Sequence, residues 1–257
     1  MDLSYYFDSA EQLISIWQDN FLDLSAYPAA TKIPLQDIQF LPPTTSPRYF
    51  CVGKNYRAHR EEINFKDEGL TDVYSNPAIF LRNPESMVGH ECMVWKGSAT
   101  SCFDYEGELA VVIGKTGKAS SSKEAFQLIA GYTCFMDGSA RDYQAHSVSA
   151  GKNFERSGSV GPSIVLKKSV GNPQKLHLKT VVNGEIVQQA QTSDMIASVS
   201  DIIIYLSKIT TLRVGDIIAT GTPAGVGMAC NPPKWLLPGD TISVEISNVG
   251  CLNNVVE

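Results

Sequence analysis

The sequence lacks an excess of positive charge. It carries 21 Lys and Arg against 27 Asp and Glu, for a formal net charge of −6 at pH 7. Proteins that hold nucleic acid or an anionic membrane surface by electrostatic attraction need the opposite balance. The composition therefore predicts no nucleic-acid partner and no membrane partner, and it favours chemistry on a small molecule.

Long apolar runs are also missing. The first residues, MDLSYYFDSAEQL, have neither the basic start nor the apolar stretch of a signal peptide. No later segment is apolar over the roughly 20 residues that a membrane-spanning helix needs. We therefore expect a cytoplasmic protein.

Cysteine pairs with metal-binding or redox spacing are absent. The six cysteines lie at 51, 92, 102, 134, 230 and 251, and no two of them form C-x-x-C. This spacing argues against a zinc ribbon and against a thioredoxin-like motif. We expect reduced cysteines, mostly buried as small hydrophobic residues.

Internal repeats, charge blocks and low-complexity linkers are absent as well, so the 257 residues predict one main fold. The stretch IQFLPPTTSPR, at 38–48, combines three prolines with Thr and Ser and marks a weak boundary. We predict a small N-terminal extension over 1–47 and a main domain over 48–257.

The main domain has mostly the pattern of β-strands. Short runs rich in β-branched residues predict strands at 49–53, 108–114, 131–136, 162–166, 176–182, 217–220 and 241–246. Asn183 and Gly184 predict a tight hairpin, because both adopt positive φ readily. A second turn is predicted at 248–250.

Few helices are predicted. Ser121 and Glu124 have the spacing of a capping box before an apolar run that Gly131 closes. The isoleucines of 200–209 give a broad apolar face, and a shorter helix is predicted over 56–63.

A glycine-rich phosphate loop is missing too. The run GTPAGVG at 221–227 does not end in Lys-Ser or Lys-Thr, and no doubly wound parallel sheet is indicated. We interpret it as a tight active-site loop.

Two glutamates stand out within FDYEGELAVVIGK, at 103–115. Glu106 and Glu108 lie two residues apart, so on a strand their side chains point to the same face. Neighbouring carboxylates are costly to bury unless a cation lies between them. An acidic face exposed to solvent and shared with Asp104 is the other interpretation, and for an isolated pair it is the commoner one.

A third carboxylate, Asp137, follows the strand predicted at 131–136 and precedes a glycine. A carboxylate where a strand opens into a turn can complete an oxygen-ligand metal site, although alone it is more simply a turn residue. Three carboxylates without nearby Cys or His favour Mg²⁺ or Mn²⁺ over zinc.

Seven segments carry a family resemblance. In chain order they are VGKNYRAHREE, PAIFLRNPES, FDYEGELAVVIGK, GYTCFMDGSARDYQ, GKNFERSGSVGP, VNGEIVQQAQTSDMI and GDIIATGTPAGVG. Together, from about Phe50 to the C-terminus, they resemble the fumarylacetoacetate hydrolase family, in its acylpyruvase-like branch. The resemblance implies a β-rich mixed α+β fold, a β-sandwich roll or barrel with few helices, usually a homodimer with one divalent ion per subunit.

The resemblance also implies functional residues, which makes 48–257 a catalytic domain. The implied metal ligands for Mg²⁺ or Mn²⁺ are Glu106, Glu108 and Asp137. His59 and Glu62 match a general-base pair, and Lys152 matches the lysine of a K-x-F segment. Three residues apart on a short helix, His59 and Glu62 share a face, and the carboxylate raises the basicity of the imidazole.

Four residues are predicted to contact the substrate. Arg82 follows an apolar stretch and offers the bidentate fork that suits a carboxylate, where many members carry lysine. Thr222 offers a hydroxyl in the loop at 221–227, and Arg141 and Gln144 follow the metal aspartate.

The predicted function is metal-dependent hydrolysis of the C–C bond of a 2,4-dioxo acid in aromatic catabolism. An acylpyruvate such as maleylpyruvate or fumarylpyruvate would give pyruvate and a carboxylic acid. His59, oriented by Glu62, would activate water, and Lys152 would stabilise the oxyanion. Decarboxylation of an oxaloacetate-like 2-oxo acid and isomerisation use the same metal site and stay open, as does a metal-stabilised binding protein without activity.

Overall fold

The structure, a computed structural model, describes residues 39–44, 48–64 and 76–257. Most of the N-terminal extension predicted over 1–47 therefore lies outside the described residues. The described strands are β1 Tyr49–Gly53, β2 Ala78–Arg82, β3 Met87–Val88, β4 Met93–Val94, β5 Phe103–Asp104, β6 Gly107–Ile113, β7 Ile129–Met136, β8 Ser139–Ala140, β9 Gly158–Leu166, β10 His177–Val182, β11 Glu185–Gln191, β12 Ile217–Ala219, β13 Thr241–Ile246 and β14 Gly250–Val256.

The described α-helices are short and lie between the strands. They are α1 Arg57–Asn64, α2 Ser122–Leu128, α3 Arg141–Gln144, α4 Val148–Lys152, α5 Lys167–Val170 and α6 Val199–Ile209. No helix in the described ranges is long and apolar enough to cross a bilayer. The strand-rich mixed α+β fold predicted from the sequence is confirmed.

Two sheets form the body of the fold. One has seven strands in the order β2-β1-β12-β6-β7-β9-β3, and the other has five in the order β11-β10-β13-β14-β4. A small third sheet pairs β5 with β8. Most neighbours are antiparallel, but β1 runs parallel to β12, β3 to β9 and β4 to β14.

Strand β6 lies at the centre of the larger sheet and is buried on both faces. Leu109 and Val111 point into the larger hydrophobic core, which also contains residues of the five-stranded sheet. Ala110 and Val112 belong to a smaller cluster on the opposite side. Because alternate residues share a face, Glu108 points to the same side as Ala110, away from the second sheet.

Gly107 separates the two glutamates and faces the second sheet. A Cβ at this position would lie 2.0 Å from Thr180 Oγ1, so the two sheets approach too closely here for any side chain. The close approach accounts for glycine between the two carboxylates.

Of three local predictions, the hairpin is confirmed, the capping box is met only in part and the end of the first predicted helix is wrong. The hairpin at Asn183 and Gly184 joins β10 to β11, with φ values of 50° and 84°. Ser121 caps α2 by accepting from the Glu124 N–H, but the Glu124 carboxylate bonds to Ser120 instead of completing the capping box. Gly131 does not close that helix, because β7 already begins at Ile129 and pairs with β6.

The cysteines are all free, as predicted. Only Cys51 and Cys134 are fully buried, however, and the other four are half-buried. The expectation that most of them are buried is therefore only partly met.

Candidate active site

Three carboxylates meet where β6 begins and β7 ends. The register pairs Gly107 with Met136, which places Glu106 opposite Asp137, and the Asp137 N–H donates to the Glu106 carbonyl over 2.8 Å. Glu108 lies one step along β6 on the same face. One oxygen from each of the three side chains lies within 4.8 Å of the others, and all three residues are buried. The alternative of an exposed acidic face is thereby excluded.

The carboxylate triad of Glu106, Glu108 and Asp137 fits a hard divalent ion. Burial raises the pKa of Glu108 well above its usual range, and the nearby carboxylates of Asp137 and Glu106 raise it further. The Gly221 N–H donates to Glu108 over 2.7 Å, but an amide carries no charge to balance the carboxylate. Buried carboxylates with an all-oxygen donor set are the environment that Mg²⁺ and Mn²⁺ prefer.

Two cations hold Glu106 in place. Lys152 Nζ lies 2.7 Å from Glu106 Oε2, and Arg141 Nη2 lies 2.6 Å from Glu106 Oε1. Burial by itself would raise the pKa of Glu106, but Lys152 and Arg141 outweigh it and lower that pKa to about 2. Arg141 also donates to Gln144 over 2.7 Å, so both predicted substrate contacts lie beside this ligand.

Lys152, at the end of α4, bridges two ligands of the triad. Besides Glu106, its ammonium donates to Asp137 Oδ2 over 2.7 Å and to the Asp137 carbonyl over 3.2 Å. An ammonium has three hydrogens, so all of its donors are engaged. This differs from the predicted oxyanion contact, because the lysine is packed against the ligands. Burial lowers the pKa of Lys152, but Asp137 and Glu106 outweigh burial and raise it.

Arg82 holds the third carboxylate, Asp137, and does not line the cavity. Its Nη1 donates to Asp137 Oδ1 over 2.5 Å and to the Gly138 carbonyl. The remaining donors reach Ser86 and the Ser157 hydroxyl. All five N–H groups of the guanidinium are thus taken by protein, and the side chain is buried. The predicted substrate clamp is replaced by a role in positioning Asp137.

His59 and Glu62 form the predicted pair on α1. His59 Nδ1 lies 2.8 Å from Glu62 Oε1, and the His59 side chain is only 3% exposed. The Gly225 N–H donates to the Glu62 carboxylate over 3.0 Å, which ties α1 to the loop at 221–227. A carboxylate only accepts, so Nδ1 carries the hydrogen and Nε2 is left for a substrate.

A cavity of about 1030 Å³ opens beside the triad. The predicted residues that line it are His59, Glu106, Arg141, Gln144, Lys152 and Thr222. The His59 imidazole and Glu106, a candidate metal ligand, therefore face the same space, which is the arrangement that metal-assisted proton transfer needs.

Two polar residues of the site were not predicted. Asp104, which was named only in the alternative interpretation of an exposed acidic face, is fully buried and accepts from Arg141 Nε over 2.8 Å. It also accepts the Gly227 and Met228 N–H groups, so it links Arg141 to the end of the glycine loop. Its place in the motif DYE was the only signal in the sequence.

The second polar residue that was not predicted is Gln188, on β11. Its Oε1 accepts the Gly107 N–H over 2.9 Å, and its Nε2 donates to Thr222 Oγ1 and the Pro223 carbonyl, both over 2.8 Å. Thr222 in turn donates to the Gly107 carbonyl over 3.0 Å. The peptide between the two glutamates is therefore fixed on both sides. The Thr222 hydroxyl, predicted to contact the substrate, donates to protein here.

Replacing Gln188 with Leu is expected to destabilise the protein by about 2–3 kcal/mol, because the buried Gly107 N–H loses its acceptor and the loop loses two donors. We also expect weaker Mg²⁺ binding, since the spacing of Glu106 and Glu108 loosens. Chemical denaturation and calorimetric metal titration measure the two effects. The control is Gln189→Leu on the exposed face of the same strand. Equal effects in both variants would contradict this role.

Known proteins are similar to this chain in sequence and in fold. Residues 48–257 match the family described as fumarylacetoacetate (FAA) hydrolase C-terminal. The oxaloacetate tautomerase YisK of Bacillus subtilis is 42% identical over 217 residues, which cover 83% of this chain and 71% of YisK. The mitochondrial oxaloacetate tautomerase Fahd2a of Rattus norvegicus is 38% identical over 228 residues, which cover 87% of this chain and 71% of that protein.

A solved structure extends the likeness to the whole chain. The fumarylacetoacetate hydrolase of the psychrophilic Exiguobacterium antarcticum has a TM-score of 0.84 and 35% identity, covering 100% of this chain and 91% of that one. Sequence, fold and the buried triad agree, and the chain belongs to the fumarylacetoacetate hydrolase family of enzymes.

Proposed function

We propose that this chain is a divalent-metal-dependent enzyme that interconverts the keto and enol forms of an oxaloacetate-type 2-oxo acid. The observation that carries the proposal is that His59, already bonded to Glu62, lines the same cavity as Glu106 of the triad. Similarity to two relatives named as oxaloacetate tautomerases supports the choice of substrate.

The proposed residues have two roles, metal binding and proton transfer. Glu106, Glu108 and Asp137 would hold Mg²⁺ or Mn²⁺, which when bound draws electron density from a chelating 2-oxo acid and acidifies the adjacent C–H. In the keto-to-enol direction His59 Nε2 accepts the C3 proton, the C3–H electron pair forms the C2=C3 bond, and the 2-oxo oxygen takes a proton from solvent to become the enol hydroxyl. In the reverse direction His59 returns the proton to C3 and the hydroxyl releases its proton to solvent. Glu62 holds the imidazole in the tautomer that leaves Nε2 free to accept, and it stabilises the imidazolium that forms.

Hydrolysis of an acylpyruvate, as in aromatic catabolism, is the second candidate. Similarity to the Exiguobacterium antarcticum fumarylacetoacetate hydrolase favours hydrolysis as the class of reaction, and His59 would then take a proton from water. Hydrolysis also needs a donor for the oxyanion on the distal carbonyl. The donors of Lys152 are engaged by Glu106 and Asp137, so that donor would have to be another group of the cavity. We place tautomerisation first because the two relatives named as tautomerases are 42% and 38% identical, against 35% for the hydrolase.

The test is metal-dependent turnover measured with a panel of substrates. We expect the purified protein to accelerate ketonisation of enol-oxaloacetate with Mg²⁺ or Mn²⁺ but not with a chelator. We expect Glu106→Ala to abolish the acceleration with the circular-dichroism spectrum intact. Pyruvate release from an acylpyruvate without tautomerisation would replace the proposal with hydrolysis, and pyruvate with CO₂ from oxaloacetate would indicate a decarboxylase. Absence of turnover with every substrate would indicate a binding protein.

A further inference from the structure

We infer that the outer part of the active-site cavity binds an apolar substituent of the substrate. Its preferred ligands would be 2-oxo acids with an aliphatic or aromatic group beyond the 2-oxo acid core. The inference rests on the proposed function, because it requires that core to lie against the carboxylate triad.

The cavity is larger than a compact diacid needs. Its volume of about 1030 Å³ is at the upper end of the range that holds drug-sized ligands, which is about 300–1,000 Å³. The ionic groups Glu106, Arg141 and Lys152 line one part of it, and a 2-oxo acid core bound there leaves most of the volume open. A longer substrate would fill that space.

Three exposed apolar side chains line the cavity, beside polar residues that include Asn55, Ser149 and Tyr205. Leu81 on β2 is 51% exposed, Val148 at the start of α4 is 44% exposed and Ile196 before α6 is 44% exposed. Single exposed apolar residues are common on protein surfaces. Here three of them, from three separate elements, line one cavity together with Ile79 and Ile204. Covering them with a ligand removes apolar surface from water on both partners.

An anionic tail is the alternative occupant, because Lys54, Arg60 and Lys208 also line the cavity. Lys54 and Lys208 are exposed, Arg60 is half-buried, and the lining also includes Asp201, whose carboxylate repels an anion. A solvent-exposed ion pair strengthens binding by at most about fivefold. Each fully buried methylene strengthens it by about fourfold. A chain of several carbons against the apolar wall therefore gains more than a single terminal carboxylate.

A series of N-alkyl oxamates tests the inference, with oxalate as the reference for the core. In calorimetric titrations with Mg²⁺, we expect the affinity to rise about twofold to fourfold per methylene. Oxamates with a terminal carboxylate should bind less tightly than methyl-terminated ones of equal length. Failure of oxalate to bind would overturn the proposed function. If oxalate binds but the affinity does not rise with alkyl chain length, this inference is overturned and the proposed function stands. The same holds if the carboxylate-terminated oxamates bind more tightly than the methyl-terminated ones.

Variants locate the effect within the cavity. Leu81→Ser and Ile196→Ser should each lower the ratio of hexyl to methyl oxamate affinity by about threefold or more. Using a ratio within each variant removes differences in the folded fraction. Matched controls are Ile186→Ser and Leu237→Ser, which alter exposed apolar residues outside the cavity and should keep the wild-type ratio. An unchanged ratio in both cavity variants would overturn the inference.

Discussion

His59→Asn is expected to lower the rate of oxaloacetate tautomerisation by about 10²- to 10⁴-fold, the usual contribution of a general base. The imidazole is buried, lies 2.8 Å from Glu62 Oε1 and lines the cavity, so its loss removes the group that we propose accepts the C3 proton. Glu62→Gln should cost less, because the imidazole stays but loses the carboxylate that orients it. Mg²⁺ binding should persist in both variants, since neither residue belongs to the triad.

The decay of the enol's ultraviolet absorbance measures the rate, and calorimetric titration measures Mg²⁺ binding. His177→Asn is the matched control, because His177 is exposed on β10 outside the active-site cavity. A wild-type rate in His59→Asn would remove the base from the mechanism. If His59→Asn lost rate and Mg²⁺ binding to the same extent, His59 would have a structural role in shaping the site and would not be the base.

The strands that the sequence predicted best are those with simple apolar runs. Both ends of β1 and β13 were predicted, because their residues alternate or run apolar between clear breaks. β14 was not predicted, since Asn253 and Asn254 have low strand propensity. Pairing with β13 and β4 overrides that propensity, and the Asn254 amide donates to the carbonyls of Gly89 and Cys92. Such long-range partners leave no local pattern.

The same distinction applies to the site. The carboxylate triad was predicted, but the cost of burying carboxylates only raised the possibility of a metal site, and the resemblance to the family decided against an exposed acidic face. The positions of its cations were not, since Arg82 reaches Asp137 across 55 residues and Lys152 reaches Glu106 across 46. An arginine after an apolar stretch has the same local pattern whether it binds substrate or a buried carboxylate. Gln188 had no local signal either, because its partners lie on β6 and in the glycine loop.

Glu108→Gln is expected to abolish Mg²⁺ binding and yet to stabilise the metal-free protein at higher pH. The folded-state pKa of Glu108 is raised above its unfolded value, first by burial and then by Asp137 and Glu106. A raised carboxyl pKa contributes stability below the unfolded pKa, and this contribution is lost as pH rises through the folded pKa. Metal-free wild type should therefore lose stability with rising pH, at up to about 1.4 kcal/mol per pH unit for one proton.

The glutamine variant has no such proton to lose. Its stability should change less over the same pH range, and the two unfolding curves should diverge as pH rises. Denaturant unfolding at several pH values, with a chelator and then with Mg²⁺, measures both effects. Glu185→Gln on β11 is the control, because that carboxylate is exposed.

Mg²⁺ should reverse the order of stability. At a free concentration of 100 times its Kd, Mg²⁺ adds about 2.7 kcal/mol to the free energy of unfolding of a protein that binds it only when folded. Wild type should gain that amount of stability, and Glu108→Gln should not. The ion also displaces the proton from Glu108, so Mg²⁺ should bind wild type more tightly as pH rises. If metal-free wild type and Glu108→Gln had the same pH profile, Glu108 would not be a protonated buried group. If Mg²⁺ then stabilised neither protein, the triad would not be a metal site.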